Sequence, residues 1–172
     1  MKNQIELEIE SQYKYFRQIK ILLRRTIEFN SSRISTKKED TQESFDMLLY
    51  LDDMVEKRIS IRLRGNQYSD YNDLTIRCKG KFKDYSELGK INDGKGETYF
   101  YGYLNKEKTK IVKWVLVDIN KIRTLKNNNN ITRNSDGSAF ISYGFNQLFY
   151  YDCILDYGGF KRNQLEEYIE QN

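Results

Sequence analysis

Arg58-Ile59-Ser60-Ile61-Arg62-Leu63-Arg64 alternates polar and apolar side chains without a break. A period of two puts Ile59, Ile61 and Leu63 on one face of a strand and Arg58, Ser60, Arg62 and Arg64 on the other. One face is then core and the other a polar row rich in guanidinium. Upstream, Phe45-Asp-Met-Leu-Leu-Tyr-Leu51 is nearly continuous apolar sequence, as in a strand covered on both faces. Asp52-Asp53 turns the chain between the two. Downstream, Gly65-Asn66 opens a loop before a third strand, Asp73-Leu-Thr-Ile-Arg-Cys78.

Ile9, Tyr13, Phe16, Ile19, Leu23 and Ile27 recur at three- and four-residue steps, which predicts an amphipathic helix over residues 5–29. Glu6, Glu8 and Glu10 near its start and Arg24 and Arg25 near its end complement the helix dipole. Residues 30–40 are polar and read as a loop. After the third strand comes a basic connection containing Lys79 and Lys81. A short helix through Glu87, Lys90 and Ile91 follows, capped by Asp84 or Ser86. Glu97–Leu104 and Lys110–Asp118 read as paired strands, and Asp118 caps a short helix over 119–125. Asn127–Asn130 reads as a loop, 139–143 as a strand and 147–157 as a possible further strand. Lys161–Gln171 reads as a closing helix.

The expected class is α+β. The order helix, strand, strand, strand, helix, strand is the layout of a PD-(D/E)xK nuclease core, here with an extended mixed sheet and the C-terminal helix. At 172 residues the chain suits a single domain, with 1–125 as the core and 126–172 as an extension. Hydrophobic residues make up only 38%, but 14 Tyr and 9 Phe supply large apolar area per side chain. No apolar run approaches the ~20 residues that cross a bilayer, and the Glu-bearing N-terminus does not read as a secretory signal. The sequence therefore predicts a soluble, cytoplasmic protein.

Histidine is absent and the two cysteines, Cys78 and Cys153, form no CxxC pair. That excludes Cys/His zinc sites, Ser-His-Asp hydrolases and any nuclease with an imidazole base. Each cysteine reads as a small core hydrophobe. Net charge is +4, unevenly spread: between Gln12 and Lys38 eight Lys/Arg face the single Glu28. Lys14, Arg17 and Arg24 fall on one stripe, with Arg25 beside it. The stretch reads either as a phosphate-binding face or as a solvated helix face and loop.

A PD-(D/E)xK site needs an Asp on the first strand of its hairpin and Glu-x-Lys on the second. The carboxylates hold Mg²⁺ or Mn²⁺ and the Lys orients the attacking water. Asp46 stands at the first position, but Arg62 and Arg64 occupy the other two. Arg62 would repel a divalent cation from Asp46, and Arg64 can contact phosphate but cannot act as a base. Two readings follow. Asp46 pairs with Arg62 or Arg64, and Glu87 with Lys90, as structural ion pairs. Alternatively, Glu28, Glu43, Asp73 or Glu87 supplies a relocated carboxylate, Glu87 being the best placed, with Lys90 one turn further on. The arginines together with Arg77 would form a cationic row suited to phosphate or to an acidic protein surface. Tyr99, Tyr101 and Tyr103 share a strand face and suit base stacking, a partner interface, or a core layer whose phenols reach water.

The segments 40–46, 59–64, 73–77, 86–91, 99–102 and 114–123 resemble a series found in small bacteriophage proteins. Those proteins are related to the Holliday-junction-resolvase branch of the PD-(D/E)xK superfamily, in which Arg in place of Glu-x-Lys is usual. The resemblance spans about residues 14–145. It implies a nuclease scaffold with a degenerate motif and no resident metal. The implied activity is binding of DNA, RNA or a host ribonucleoprotein, such as blocking a defence complex of the CRISPR-effector kind. Homodimers are common on such scaffolds. The alternative expectation is an active Mg²⁺- or Mn²⁺-dependent nuclease acting on branched or single-stranded DNA.

Overall fold

The computed structural model describes residues 4–79, 86–125 and 131–160, with backbone alone at 4–13, 41 and 53. Along the chain come α1 (Gln4–Leu23), β1 (Ser31–Ile34), α2 (Lys37–Glu43), β2 (Met47–Tyr50), β3 (Glu56–Arg64) and β4 (Asp73–Lys79). Next are α3 (Glu87–Asn92), β5 (Thr98–Leu104), β6 (Ile111–Asp118) and α4 (Ile119–Thr124). The described chain closes with β7 (Ile131–Arg133), β8 (Ala139–Gly144), α5 (Phe145–Tyr150) and β9 (Ile154–Gly158). Lys81, Asp84, the Asn127–Asn130 loop and the expected closing helix lie outside the described residues.

The fold is α+β, with a mixed six-stranded sheet in the order β1-β2-β3-β5-β6-β9 and a three-stranded antiparallel sheet β4-β8-β7. Of the neighbours in the larger sheet, β3 and β5 run parallel and the rest antiparallel. A parallel pair needs a crossover. Residues 65–97 provide it, and they lay β4 and α3 over one face of the sheet. The third strand of the expected series therefore belongs to a second layer. It follows β3 in sequence, but β5 occupies the place beside β3.

The opposite face is covered by α1. Tyr15, Phe16, Ile19 and Leu23 pack there with Met47, Leu49, Ile59, Phe100, Leu104, Trp114 and Leu116, all buried. This is the 3.6-residue stripe meeting the apolar face of β3, as the two periodicities require. Phe100 and Trp114 stack with centroids 5.6 Å apart. A Cβ on Gly102 would come within 3.0 Å of the Leu63 side chain, so glycine lets β3 and β5 close up here. On the second face Tyr99, Tyr101, Tyr103, Val115 and Val117 meet Leu74, Ile76, Ile141 and Tyr143 of the small sheet and the apolar sides of α3, α4 and α5.

Several boundaries differ from the sequence reading. Helix α1 stops at Leu23, where Arg25 and Thr26 donate their N–H groups three residues back and tighten the last turn. Thr26 and Arg25 then turn to Asp156, while Ile27 and Phe29, beyond the helix, stay in the same core. The expected loop at 30–40 contains β1 and the start of α2. The helix begins with a capping box: Thr36 Oγ1 accepts from Glu39 N–H and Glu39 accepts from Thr36 N–H. Residues 145–150 are helical, which leaves only Ile154–Gly158 of the stretch 147–157 as a strand. Ser86 caps α3 and Asp118 caps α4, as the sequence indicates.

Candidate nucleic-acid interface

The polar row of β3 points into the second layer, and each of its arginines takes a different partner. Arg58 meets Glu43 at 3.3 Å. Arg62 Nη1 donates to Glu87 Oε2 at 3.0 Å and to the Thr75 carbonyl at 3.3 Å. Arg64 Nη1 donates to Thr75 Oγ1 at 2.5 Å and to the Tyr101 hydroxyl at 3.1 Å. Glu87 is the acceptor at the centre. Besides Arg62 it takes the Arg77 backbone N–H at 3.0 Å and the Tyr99 hydroxyl. Burial works against the Arg62 charge, but the oxygens of Tyr99, Glu87 and Tyr101 more than offset it, so the guanidinium stays cationic.

These bonds close a sheet edge. Strand β4 is terminal in its sheet, and Thr75 C=O and Arg77 N–H are the acceptor and donor it would offer a further strand. Arg62 supplies the donor and Glu87 the acceptor, and the two are bonded to each other. An ion pair thus stands in for a neighbouring peptide. A carboxylate at position 62 could not fill this role, because it could not donate to the Thr75 carbonyl.

Asp46 is not part of this network. Its Oδ2 accepts from the Ile61 N–H at 2.6 Å, and no ion pair joins it to Arg62 or Arg64. The expected pairing fails because the guanidiniums extend toward β4, whereas Asp46 immediately precedes β2 and folds back on the β3 backbone. Burial raises its carboxyl to about 7. Asp40 and Glu87 add to the rise, against the Ile61 bond and Lys90. The expected Glu87–Lys90 pair is also absent: Lys90 Nζ reaches the Asp40 carbonyl at 3.4 Å.

This donor set does not suit a divalent cation. Glu87 already accepts three hydrogen bonds, Arg62 stands beside it, and Asp46 sits in surroundings that favour its neutral form. Among the described residues no group of three or more metal-ligating side chains converges.

The three tyrosines of β5 are buried to 3% exposure or less. Their hydroxyls go to Glu87, to Thr75 with Arg64, and to the Asp73 carbonyl. Tyr99 and Tyr101 therefore cannot stack on a base or face a partner, and their phenols do not reach water. Burial also raises the pKa of Tyr99 and Tyr103.

Among the aromatic groups that reach the surface, Tyr68 and half-buried Phe140 lie beside the arginines. The Arg62 and Arg77 guanidinium carbons sit 5.3 and 5.6 Å from the Phe140 ring centroid, and Arg64 sits 3.9 Å from that of Tyr68. Tyr68 in turn lies 6.4 Å from Tyr71. A continuous row results: Tyr71, Tyr68, Arg64, Thr75, Arg62, Phe140, Arg77. No carboxylate among the described residues pairs with Arg64 or Arg77, and exposed Lys79 extends the row at the end of β4. Phe140, Tyr68 and Tyr71 were not among the sequence candidates. Phe140 had a signal, being the aromatic on the polar face of Ala139-Phe-Ile-Ser-Tyr143.

The α1 cations belong elsewhere. Lys14 donates to the Lys108 carbonyl at 3.0 Å, Arg24 lies over Phe29, and Arg25 lies over Trp114 near Asp156. Arg17 is exposed on the same helix. All four lie on the α1 side of the large sheet, away from Arg62, Arg64 and Arg77. The α1 charge therefore does not continue into the β3 row.

Compared with known proteins, the chain matches no family, no curated protein and no solved structure. No described helix is long and apolar enough to cross a membrane.

Proposed function

We propose that this chain binds nucleic acid, alone or within a nucleoprotein, through the arginine–aromatic row on the outer side of the three-stranded sheet, and that it does not cut it. The observation that carries the reading is the convergence of Arg62, Arg64 and Arg77 around Phe140 and Tyr68. Guanidiniums held against rings keep their remaining N–H groups oriented for phosphate at little further entropy loss. The phage resemblance adds a setting: a cytoplasmic protein of an infected cell that occupies the nucleic-acid groove or guide of a host defence complex, such as a CRISPR effector.

Fluorescence polarisation with labelled DNA and RNA over a salt series tests it. Affinity should fall steeply with salt, and Arg77→Ala should lower the log–log salt slope by about one. Arg77 is the suitable variant because, among the described residues, its exposed guanidinium meets the Phe140 ring alone. No binding to either nucleic acid at low salt would overturn the reading. Cleavage that requires Mg²⁺ or Mn²⁺ and disappears in Asp46→Ala would replace it with the nuclease alternative.

A further inference from the structure

The loop between β3 and β4 carries two aromatic side chains that the protein itself does not use. Tyr71 is 70% exposed and Tyr68 39%. The two centroids are 6.4 Å apart with ring planes 38° from parallel, and the Arg64 guanidinium stacks beneath Tyr68. Together they form a step of two rings over a cation, at one end of the row described above.

The step is held firmly. Lys113, buried on β6, donates from Nζ to the Ser69 carbonyl at 2.6 Å and to Asn72 Oδ1 at 2.5 Å. Asn72 adopts a left-handed conformation with φ 47°, and its carbonyl accepts from Phe145 N–H at 3.0 Å. Tyr68 and Tyr71 N–H bond back to Gly65 and Tyr68 carbonyls. A lysine amine taken out of water is a costly anchor, and burial lowers its pKa. Here it fixes the turn between the two rings, so both are oriented before any ligand arrives.

Resting on the reading that this row binds nucleic acid, we infer that the nucleic acid is single-stranded and that Tyr68 and Tyr71 stack on its unpaired bases. The chemistry separates the two forms. In a duplex the base faces are covered by their neighbours, so a surface ring gains nothing from them. In a single strand each base has a face to offer, whatever its identity. The guanidiniums of Arg64, Arg62 and Arg77 continue from the step along the sheet, where the sugar–phosphate backbone of the same strand would lie. The described surface offers no long helix beside this row to enter a major groove: the nearest, α3, has six residues.

The test compares one sequence as single-stranded DNA, single-stranded RNA and matched duplex, by polarisation at fixed salt. Single strands should bind about tenfold or more tightly than the duplex. Tyr71→Ala should weaken single-strand binding by about tenfold and leave the duplex unchanged, while Tyr71→Phe should retain wild-type affinity. Because Tyr71 is exposed, the unfolding midpoint of each variant should match the wild type, which separates lost stacking from lost fold. Equal affinity for all three forms, with Tyr71→Ala silent and Arg77→Ala still weakening binding, would overturn the stacking role and leave the nucleic-acid reading intact. No binding to any form would remove both.

Discussion

The two faces of the six-stranded sheet are both buried, yet they are built from different chemistry, and β5 shows the contrast within one strand. Toward α1 it presents Phe100, Gly102 and Leu104. Toward the small sheet it presents Tyr99, Tyr101 and Tyr103. The α1 face is held by close packing, which is non-directional and scales with area. The other face adds a hydroxyl bond for every ring, reaching Glu87, Thr75 and the Asp73 carbonyl. A shifted register on the dry face would still bury hydrocarbon. On the polar face it would strand phenols, a carboxylate and two guanidiniums. The first face supplies stability; the second fixes where β4 and its arginines stand.

The sharpest test of that division is on the dry face. Phe100→Ala removes a fully buried ring stacked on Trp114 and should cost about 3–5 kcal/mol in urea unfolding. A loss under ~1 kcal/mol would mean that α1 is not seated on this face as described.

The polar face should respond through coupling. Arg62 and Glu87 side chains retain 19% and 29% exposure, so their pair is partly screened. Each single alanine variant should cost about 1–3 kcal/mol, since each leaves the other charge and one β4 edge group without its partner. The double variant should cost less than the sum, by about 1–2 kcal/mol. It should still fall short of the wild type, because Thr75 C=O and Arg77 N–H then both lack a cap. Additive losses would show that the two residues act independently and that the edge closure is incidental.

What could be read from the sequence follows the range of the interactions. The α1 stripe, the alternation of β3 and the caps at Ser86 and Asp118 depend on neighbours within a turn or two, and they were legible. So was the mixed α+β class. The capping box at Thr36 and Glu39 was equally local, but it was hidden in a segment polar enough to pass for loop. The site was harder to read. Arg62 and Arg64 stood out correctly as a polar row, but their partners are 11 to 37 residues away, on elements whose layer the sequence does not state. Matching them to Asp46 assumed that the guanidiniums stay beside their own hairpin. Placement of β4 in a second layer drew them across instead. The β5 tyrosines leave several readings open for a related reason, and the core layer is the one the structure shows: a row of amphipathic rings looks the same whether its hydroxyls meet water or a buried carboxylate.

Asp46 gives the smallest effect and the cleanest one to isolate. It lies at the margin of the polar face, near Asp40, Glu87 and Lys90, with one oxygen on the Ile61 N–H. Its folded pKa, about 7, lies above the ordinary aspartate value of ~3.9. Between those two values the folded protein holds a proton that the unfolded chain has released. Stability therefore falls as pH rises through this window and levels off above it. Asp46→Asn keeps an oxygen for Ile61 and removes the titration. Its unfolding free energy should match the wild type near pH 4 and exceed it by at least about 1 kcal/mol at pH 8. The chain contains no histidine, so no imidazole titrates between pH 5 and 8 to mask the difference. A wild-type curve parallel to that of the variant across that range would mean that Asp46 is ionised throughout. The margin of the polar face would then be wet, and the contrast between the two faces would end at Glu87.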